Sequence, residues 1–137
     1  MLNLLKNILH KNGKLTTWYK SGQQKSETNF KDGKRVGTRT QWHENGQKEA
    51  EGNYKDDKLY GKWTWWYENG QKKQEEYFKN DRTDGKVTWW YENGRKNADG
   101  NHKDGNLDDK YTIWYENGKK KAQENYKDGK LNALAKY

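Results

Sequence analysis

Side chains that could perform acid–base or metal chemistry occur in this sequence, but their spacing assembles no reactive site. The three histidines are His10, His43 and His102. The last two stand where other copies of a repeated unit have Tyr or Phe, so we interpret them as aromatic substitutes rather than as catalytic or metal-binding residues. The sequence has no cysteine, which excludes disulfides, thiolate metal ligands and a cysteine nucleophile.

The carboxylates recur as regularly and also predict no catalysis. One set precedes a glycine turn, where acidic residues are ordinarily solvated: Glu44, Glu68, Glu92 and Glu116. A second set is expected to pair with threonines across neighbouring strands: Glu27, Glu51 and Glu75. The Lys-Asp-Gly-Lys stretches place cations on both sides of one carboxylate, which disfavours a divalent cation. The sequence therefore predicts a protein without enzymatic activity, metal site or cofactor.

Anion binding is the one chemical activity that the charge pattern favours. The formal net charge is +8, which suggests nucleic acid or an anionic membrane as a partner. Five lysines recur without exception and are expected to form a row at about 10 Å spacing along one edge: Lys31, Lys55, Lys79, Lys103 and Lys127. Lysines at such an edge also keep an open sheet soluble and block aggregation, so this second interpretation stays open.

The elements that position these residues are set by a repeat. The motif Trp-Tyr-Glu-Asn-Gly, or a near copy, returns every 24 residues without a gap, starting at Trp18, Trp42, Trp66, Trp90 and Trp114. We number the five copies as units one to five. A period of this length is typical of stacked repeats, in which each unit buries its surface against its neighbours.

The composition alone would suggest disorder, because 28% of the residues are hydrophobic and 35% are charged. The apolar content, however, is mostly aromatic: 8 Trp, 10 Tyr and 2 Phe. Each such side chain buries about 150–250 Å², so regularly placed aromatics can stabilise a thin sheet without a thick aliphatic core. We expect one elongated domain.

Each unit is predicted to be a β-hairpin. Asn-Gly pairs in four units indicate a tight turn with positive φ at both central residues, and the first unit has Ser21-Gly22 instead. The Lys-Asp-Gly-Lys stretches are expected to form a longer turn between units. The predicted fold is an all-β, elongated, single-layer antiparallel sheet of five 24-residue hairpin repeats, with about ten strands over about 50 Å.

A two-residue turn at Ser21 and Gly22 would oppose Tyr19 to Gln24, Trp18 to Lys25 and, further along, Thr16 to Glu27. One face, called here the threonine face, then carries the invariant Thr and Trp columns, which we interpret as the scaffold. The other, the variable face, changes between units. In units three to five it carries a predicted partner-binding field of apolar and aromatic residues: Trp63, Trp65, Tyr67, Val87, Trp89, Tyr91, Tyr111, Ile113 and Tyr115. The alternative interpretation is that this field is the better-packed middle of the ribbon.

The ends are predicted to cap the repeats, with residues 1–10 as an N-terminal segment, 11–130 as the ribbon and 131–137 as a C-terminal segment. Leu2, Leu5 and Leu9 share one helical face, so a short amphipathic helix is expected to cover the first unit. The alternative is a helix that binds a membrane or a partner. The stretch is too short and too interrupted by polar residues for a secretory signal, and we expect a cytoplasmic protein.

The unit resembles the bacterial variant of the MORN repeat, found in proteins named as YwqK-type antitoxins. The resemblance rests on Trp-Tyr-Glu-Asn-Gly-Gln-Lys, Tyr-Lys-Asp-Gly-Lys and a later Gly-Lys-x-Thr, and it covers about residue 11 to residue 130. It implies a single-layer antiparallel β ribbon with a non-enzymatic binding role: in one branch as the neutralising half of a toxin and antitoxin pair, in the eukaryotic branch as a membrane or cytoskeletal linker. The chain departs from the pattern at Asp57, Asp81 and Asp109, where the repeat usually has Gly, so distorted turns are expected there.

The sequence thus favours an inhibitor of the antitoxin or immunity type, which would cover a toxin, nuclease or other effector protein with the variable face. The alternative function is a binder of nucleic acid or membrane phospholipid that uses the lysine row. Abundant Asn and Lys would fit an AT-rich bacterial or phage genome. Salt dependence separates the two functions, because a lysine–phosphate interface weakens steeply with salt.

Overall fold

The computed structural model describes residues 11–137, and all of its regular structure over that range is β-strand. The predicted helical cap over residues 1–10 lies outside the described residues. The strands are β1 Gly13–Trp18, β2 Gln24–Lys31, β3 Lys34–Arg35, β4 Gly37–Trp42, β5 Lys48–Lys55, β6 Lys58–Trp66, β7 Lys72–Lys79, β8 Arg82–Trp90, β9 Lys96–Lys103, β10 Asn106–Leu107, β11 Asp109–Trp114, β12 Lys120–Lys127 and β13 Lys130–Lys136.

All strands belong to one open antiparallel sheet in which neighbours in sequence are neighbours in space. The order is β1-β2-β4-β5-β6-β7-β8-β9-β11-β12-β13, and the short strands β3 and β10 pair with β2 and β9. The predicted all-β ribbon of hairpin repeats is therefore confirmed. The residues that were expected to cap the C-terminal end form β13, which pairs with β12.

The Asn-Gly connections are not the two-residue turns that the sequence suggested. In unit two the backbone N–H of His43 donates to the carbonyl of Gln47 at 2.8 Å, and that of Gly46 donates to the carbonyl of His43 at 3.0 Å. Only Gly46 has positive φ, at 87°, and the Asn45 side chain accepts from the Gln47 N–H at 2.9 Å. This geometry is a three-residue loop, a type I turn followed by a left-handed glycine.

The two-residue turns lie instead between units, where a longer turn was predicted. Asp32 and Gly33 have φ values of 51° and 78°, both in the left-handed region that a type I′ turn requires. Asp57 and Asp81 adopt the same conformation as the glycines that they replace, with φ values of 70° and 67°. Their side chains supply extra bonds: Asp81 Oδ1 accepts from the Leu59 N–H at 2.7 Å. Asp57 and Asp81 therefore preserve the turns rather than distort them, and Asp109, with φ of 67°, keeps the left-handed conformation of Gly37 and Gly61 at the equivalent strand position.

The predicted register holds in the strands and fails next to the loops. Thr17 opposes Ser26 and Thr16 opposes Glu27, as predicted, but Trp18 opposes Gln24 because Lys25 is bulged out of the pairing. The three-residue loop shifts the register by one residue, and the bulge restores it. The same compensation occurs in every unit.

The most deeply buried apolar side chains lie on the variable face, which corrects the expectation that the Trp columns hold the scaffold alone. Val87 is fully buried and Trp63 is 4% exposed, whereas Trp18 on the threonine face is 59% exposed. The threonines between the Trp residues are buried, and Thr40 Oγ1 donates to Glu51 at 3.0 Å, which confirms the predicted pairing in unit two.

Glycines explain how one layer of sheet buries large rings. A Cβ added at Gly52 would overlap the indole of Trp63, and one added at Gly100 would stand 2.7 Å from Tyr111 Cδ2. Each ring therefore lies directly on bare backbone of the preceding strand, with no second layer needed. The column that contains these glycines alternates along the sheet: Thr28, Gly52, Glu76, Gly100 and Glu124.

Candidate binding surfaces

The predicted aromatic field of the variable face consists of two clusters. In the first, the rings of Tyr54 and Trp63 meet edge to face at 5.2 Å, Trp65 lies 6.0 Å from Trp63, and Phe78 lies 6.4 Å from Trp65. In the second, Tyr111 lies 6.1 Å from Trp89 and 6.3 Å from Tyr126. The first cluster joins rings from the consecutive strands β5, β6 and β7, and the second joins rings from β8, β11 and β12, with β9 between the first two. Contact with rings of other strands fixes the ring orientations.

Sequence reasoning missed the rings of Tyr54, Phe78 and Tyr126. These rings belong to one column of the sheet, to which the second strand of each hairpin contributes an aromatic residue. Each lies opposite a residue with positive φ, as Tyr54 lies opposite Gly37. Extending the predicted register three residues beyond Thr16 and Glu27 would have found this column, because Gly13 opposes Phe30.

A polar seam separates the two clusters. Glu76 is buried between Trp63 and Val87, accepts from the Gln74 amide at 2.8 Å, and lies 3.2 Å from Nδ1 of His102. Burial raises the pKa of the Glu76 carboxyl, while His102 and Gln74 act in the opposite direction. His102 therefore stands in the aromatic column but contributes a polar contact there.

The predicted field residues differ in what they leave accessible. Trp63 and Val87 are buried by neighbours and offer almost no surface to a partner. Six others are half-buried. Tyr67 and Tyr91 donate their hydroxyls to the next unit, and the remaining four keep part of each side chain accessible on the variable face: Trp65, Trp89, Tyr111 and Ile113. These four are the predicted partner-binding residues that the structure leaves accessible, Trp65 in the first cluster and Trp89 and Tyr111 in the second.

The tyrosines that precede each Asn-Gly loop link successive units. The hydroxyl of Tyr67 donates to the carbonyl of Trp90 at 2.7 Å, and that of Tyr91 donates to the carbonyl of Trp114 at 2.7 Å. His43 takes the same place, with Nε2 2.9 Å from the carbonyl of Trp66, as expected of an aromatic substitute. Tyr115, in the last unit, is 45% exposed.

The threonine face carries a repeated contact between a lysine, a carboxylate and an indole. Lys48 lies 2.8 Å from Glu51 and 6.0 Å from the ring centre of Trp66 in the next unit. The same arrangement joins Lys72 with Glu75 and Trp90, and Lys96 with Asp99 and Trp114. In the last unit the equivalent lysine, Lys120, lies against a tyrosine instead of an indole, 5.7 Å from the ring centre of Tyr137. Lysines thus cover part of each indole.

The predicted lysine row is present along the edge of the inter-unit turns, and all five of its members are exposed. Each is paired across its turn with a further residue, which is a second cation in four cases: Lys34, Lys58, Arg82 and Lys130. Turn aspartates lie among these cations. Asp57 accepts from Arg35 at 2.5 Å, which holds the pKa of that carboxyl below its usual value. The edge is basic but partly neutralised.

Within residues 11–137 no three His, Asp or Glu side chains come close enough together to hold a metal ion. Nor does that part of the chain contain a helix of the length and apolarity needed to cross a bilayer.

A sequence profile of the MORN repeat variant matches residues 11–32, 35–56, 59–80, 83–104 and 110–137, so each match coincides with one hairpin and its turns. The chain belongs to the MORN repeat variant family. MORN repeats are non-catalytic modules that generally bind proteins or membranes. No curated protein matches this MORN chain.

Proposed function

We propose that this MORN protein is an inhibitor of the antitoxin or immunity type, which neutralises a toxin, nuclease or other effector protein by direct binding. The observation that carries the proposal is the pair of half-buried aromatic clusters on the variable face. The repeat itself is a binding module, and a partner of defined shape needs a local patch that differs from unit to unit. We place its action in the cytoplasm of a bacterium or of a phage-infected cell.

The accessible parts of Trp65, Trp89, Tyr111 and Ile113 suit such a patch. Trp65, Trp89 and Tyr111 are already held by neighbouring rings, so little side-chain entropy is lost when a partner covers them. Tryptophan and tyrosine in this state are the residues that most often dominate interface energies, at about 2 kcal/mol or more each.

The test is capture and rescue. The protein is expected to form a stoichiometric complex with a toxic partner that co-purifies from the native cell, and co-expression is expected to relieve the toxicity. Trp65→Ala with Trp89→Ala should abolish both, and Ile113→Ser should weaken both with less effect on stability. Lys79→Gln with Lys103→Gln is the charge control and should retain protection. Protection that survives the aromatic variants, in protein that melts as a folded sheet, would refute the proposal.

A second candidate function, supported by the exposed lysine row, is binding of an anionic surface of nucleic acid or phospholipid along the turn edge. Lys31, Lys55, Lys79, Lys103 and Lys127 would each contact a phosphate at about 10 Å spacing. Binding by this edge should fall steeply with salt and should be lost in the Lys79→Gln, Lys103→Gln variant, whereas a complex formed by aromatic burial should persist.

A further inference from the structure

The threonine face carries a strip of aromatic and basic side chains that the proposed inhibitor does not use. Trp42, Trp66, Trp90 and Trp114 are half-buried and lie two strands apart, about 10 Å from one to the next. A lysine accompanies each of the last three indoles. The strip lies on the opposite side of the sheet from Trp65 and Trp89.

Two indoles of this strip have a hollow between them. The hollow between Trp66 and Trp90 has a volume of about 380 Å³, and Lys72 forms part of its wall together with Gly70, Gln71 and Gly94. A second hollow, of about 220 Å³, lies on another side of Trp90 and is lined by Tyr77, Lys86, Thr88, Lys96 and Glu75. Trp90 therefore lines two openings that each combine an aromatic wall with an ammonium group.

The charge of the strip is positive in spite of its carboxylates. Glu51, Glu75 and Asp99 each pair with one lysine. A further lysine column on the same face is exposed and takes part in no ion pair among the described residues: Lys62, Lys86 and Lys110. In unit three, for example, this face has two positive charges, on Lys62 and Lys72, and one negative charge, on Glu75. Each such unit therefore presents one excess positive charge to a ligand.

We propose that this strip binds single-stranded nucleic acid, with bases in the hollows against Trp66 and Trp90 and phosphates on the adjoining lysines. Unpaired bases are planar and enter openings between rings, and base–aromatic stacking combined with a basic track is the usual way in which proteins hold single strands. A duplex keeps its bases stacked and cannot use the indoles. A lipid surface needs protruding apolar side chains, whereas these indoles are half-buried and line hollows that a planar base can enter.

This proposal is independent of the inhibitor proposal, because the two surfaces lie on opposite faces. Trp65→Ala with Trp89→Ala should leave nucleic-acid binding unchanged, and the strip variants described next should leave protection from a toxic partner unchanged. Failure of one function can therefore be told from failure of the other.

The test measures binding of a fluorescein-labelled oligodeoxythymidylate of about 20 nucleotides to the whole chain by anisotropy, together with quenching of tryptophan fluorescence. Trp66→Ala with Trp90→Ala should reduce affinity at least about 5-fold, the lower limit for one stacked base. Trp66→Phe with Trp90→Phe should recover part of that loss. Lys62→Gln with Lys86→Gln should reduce both affinity and its salt dependence, without breaking an ion pair.

The matched control is Lys79→Gln with Lys103→Gln, which changes the net charge equally at the turn edge and should have a smaller effect. The proposal is overturned if the oligonucleotide does not bind, if polyphosphate binds equally well and ignores the tryptophan variants, or if the edge control loses as much affinity as the strip variant. Binding to vesicles of phosphatidylglycerol without binding to the oligonucleotide would also overturn it, in favour of a membrane surface.

Discussion

At the scale of single residues, the stability of this sheet depends on rings that lie against backbone. Trp63 covers Gly52, and its Nε1 donates to the carbonyl of Asn53 at 3.0 Å, so the indole is fixed both by contact and by a hydrogen bond. Because a single-layer sheet has no opposing layer, a glycine beneath the ring supplies the close contact that a core would otherwise provide.

Gly52→Ala is therefore expected to destabilise the protein by about 1–3 kcal/mol, since the new methyl group would displace the indole of Trp63. The backbone at Gly52 does not have positive φ, so the cost is steric and not conformational. Urea denaturation measures it. In a Trp63→Ala background, which itself should cost about 3–5 kcal/mol, the effect of Gly52→Ala should largely disappear; equal costs in both backgrounds would contradict the contact.

Glu76 predicts a pH dependence. Burial raises the pKa of its carboxyl, so the stability that the protonated form contributes is present below the ordinary carboxyl pKa and is lost as pH rises through the raised value. Glu76→Gln should raise the melting temperature near neutral pH, and the gain should shrink in acid. The groups that face the carboxyl are Gln74 and His102, and His102→Phe is the control that removes the imidazole. A gain that is independent of pH would contradict this assignment.

At the scale of elements, two kinds of turn define each unit. The Asn-Gly loops require one left-handed residue, and the inter-unit turns require two. The loop also connects to the next unit, because the Asn69 amide donates to the carbonyl of Glu92 at 2.9 Å while its oxygen accepts from the Gln71 N–H. The recurring asparagine thus acts within its own loop and on its neighbour.

Gly70→Ala should cost about 1–2 kcal/mol from its positive φ alone, because L residues are strained in that conformation. It should cost slightly more than Gly22→Ala, since a methyl group at Gly70 would displace the amide end of the flexible Gln47 side chain whereas Gly22 has open space around it. Thermal melts of the two variants separate strain from contact. Equal losses at both positions would show that the contact with Gln47 has no role.

The sequence predicts the strands, their order and the pairing of Thr40 with Glu51, because these follow from the repeat and from alternation along a strand. It does not predict which turn is tight. Asn-Gly fits a type I′ turn as well as a type I turn with a left-handed glycine, and the choice depends on a bulge at Lys25 and its equivalents. The sequence also does not show which face is packed. Trp63 is buried because its indole lies on Gly52 of the preceding strand, and this contact depends on the pairing of the two strands.

At the scale of the whole molecule, hydrogen bonds along both long edges join each unit to the next. Tyr67 and Asn69 form them at the Asn-Gly edge, and the turn amides form them at the other, as in the bond from the Asp57 N–H to the carbonyl of Arg35 at 2.9 Å. Each unit contacts only its neighbours, so stability should grow with the number of units. The glycine and glutamate column gives the sheet a natural block of two units.

Inserting a second copy of residues 43–90, two complete units, should therefore raise both the urea midpoint and the m-value, because more surface is buried cooperatively. Inserting a second copy of residues 67–90 alone should raise the midpoint less, since two copies of Glu76 would then be neighbours in the column and the insertion would add no glycine covered by a ring. Denaturation followed by tryptophan fluorescence compares the two. A larger gain from the single unit would contradict the two-unit block.

The alternation of Gly52 with Glu76 also bears on how a repetitive chain avoids folding errors. Near-identical hairpins can pair one unit out of place, within a molecule or between two nascent chains. The threonine face does not prevent this, because its Thr and Trp columns are the same in every unit. Pairing on the variable face does depend on the correct neighbour. After a one-unit slip the indole of Trp63 would lie over Thr28 instead of Gly52, and the threonine side chain would keep the two strands from pairing. The differences between units on the variable face thus disfavour mispaired hairpins during folding, so that each of the five similar units pairs with its correct neighbour.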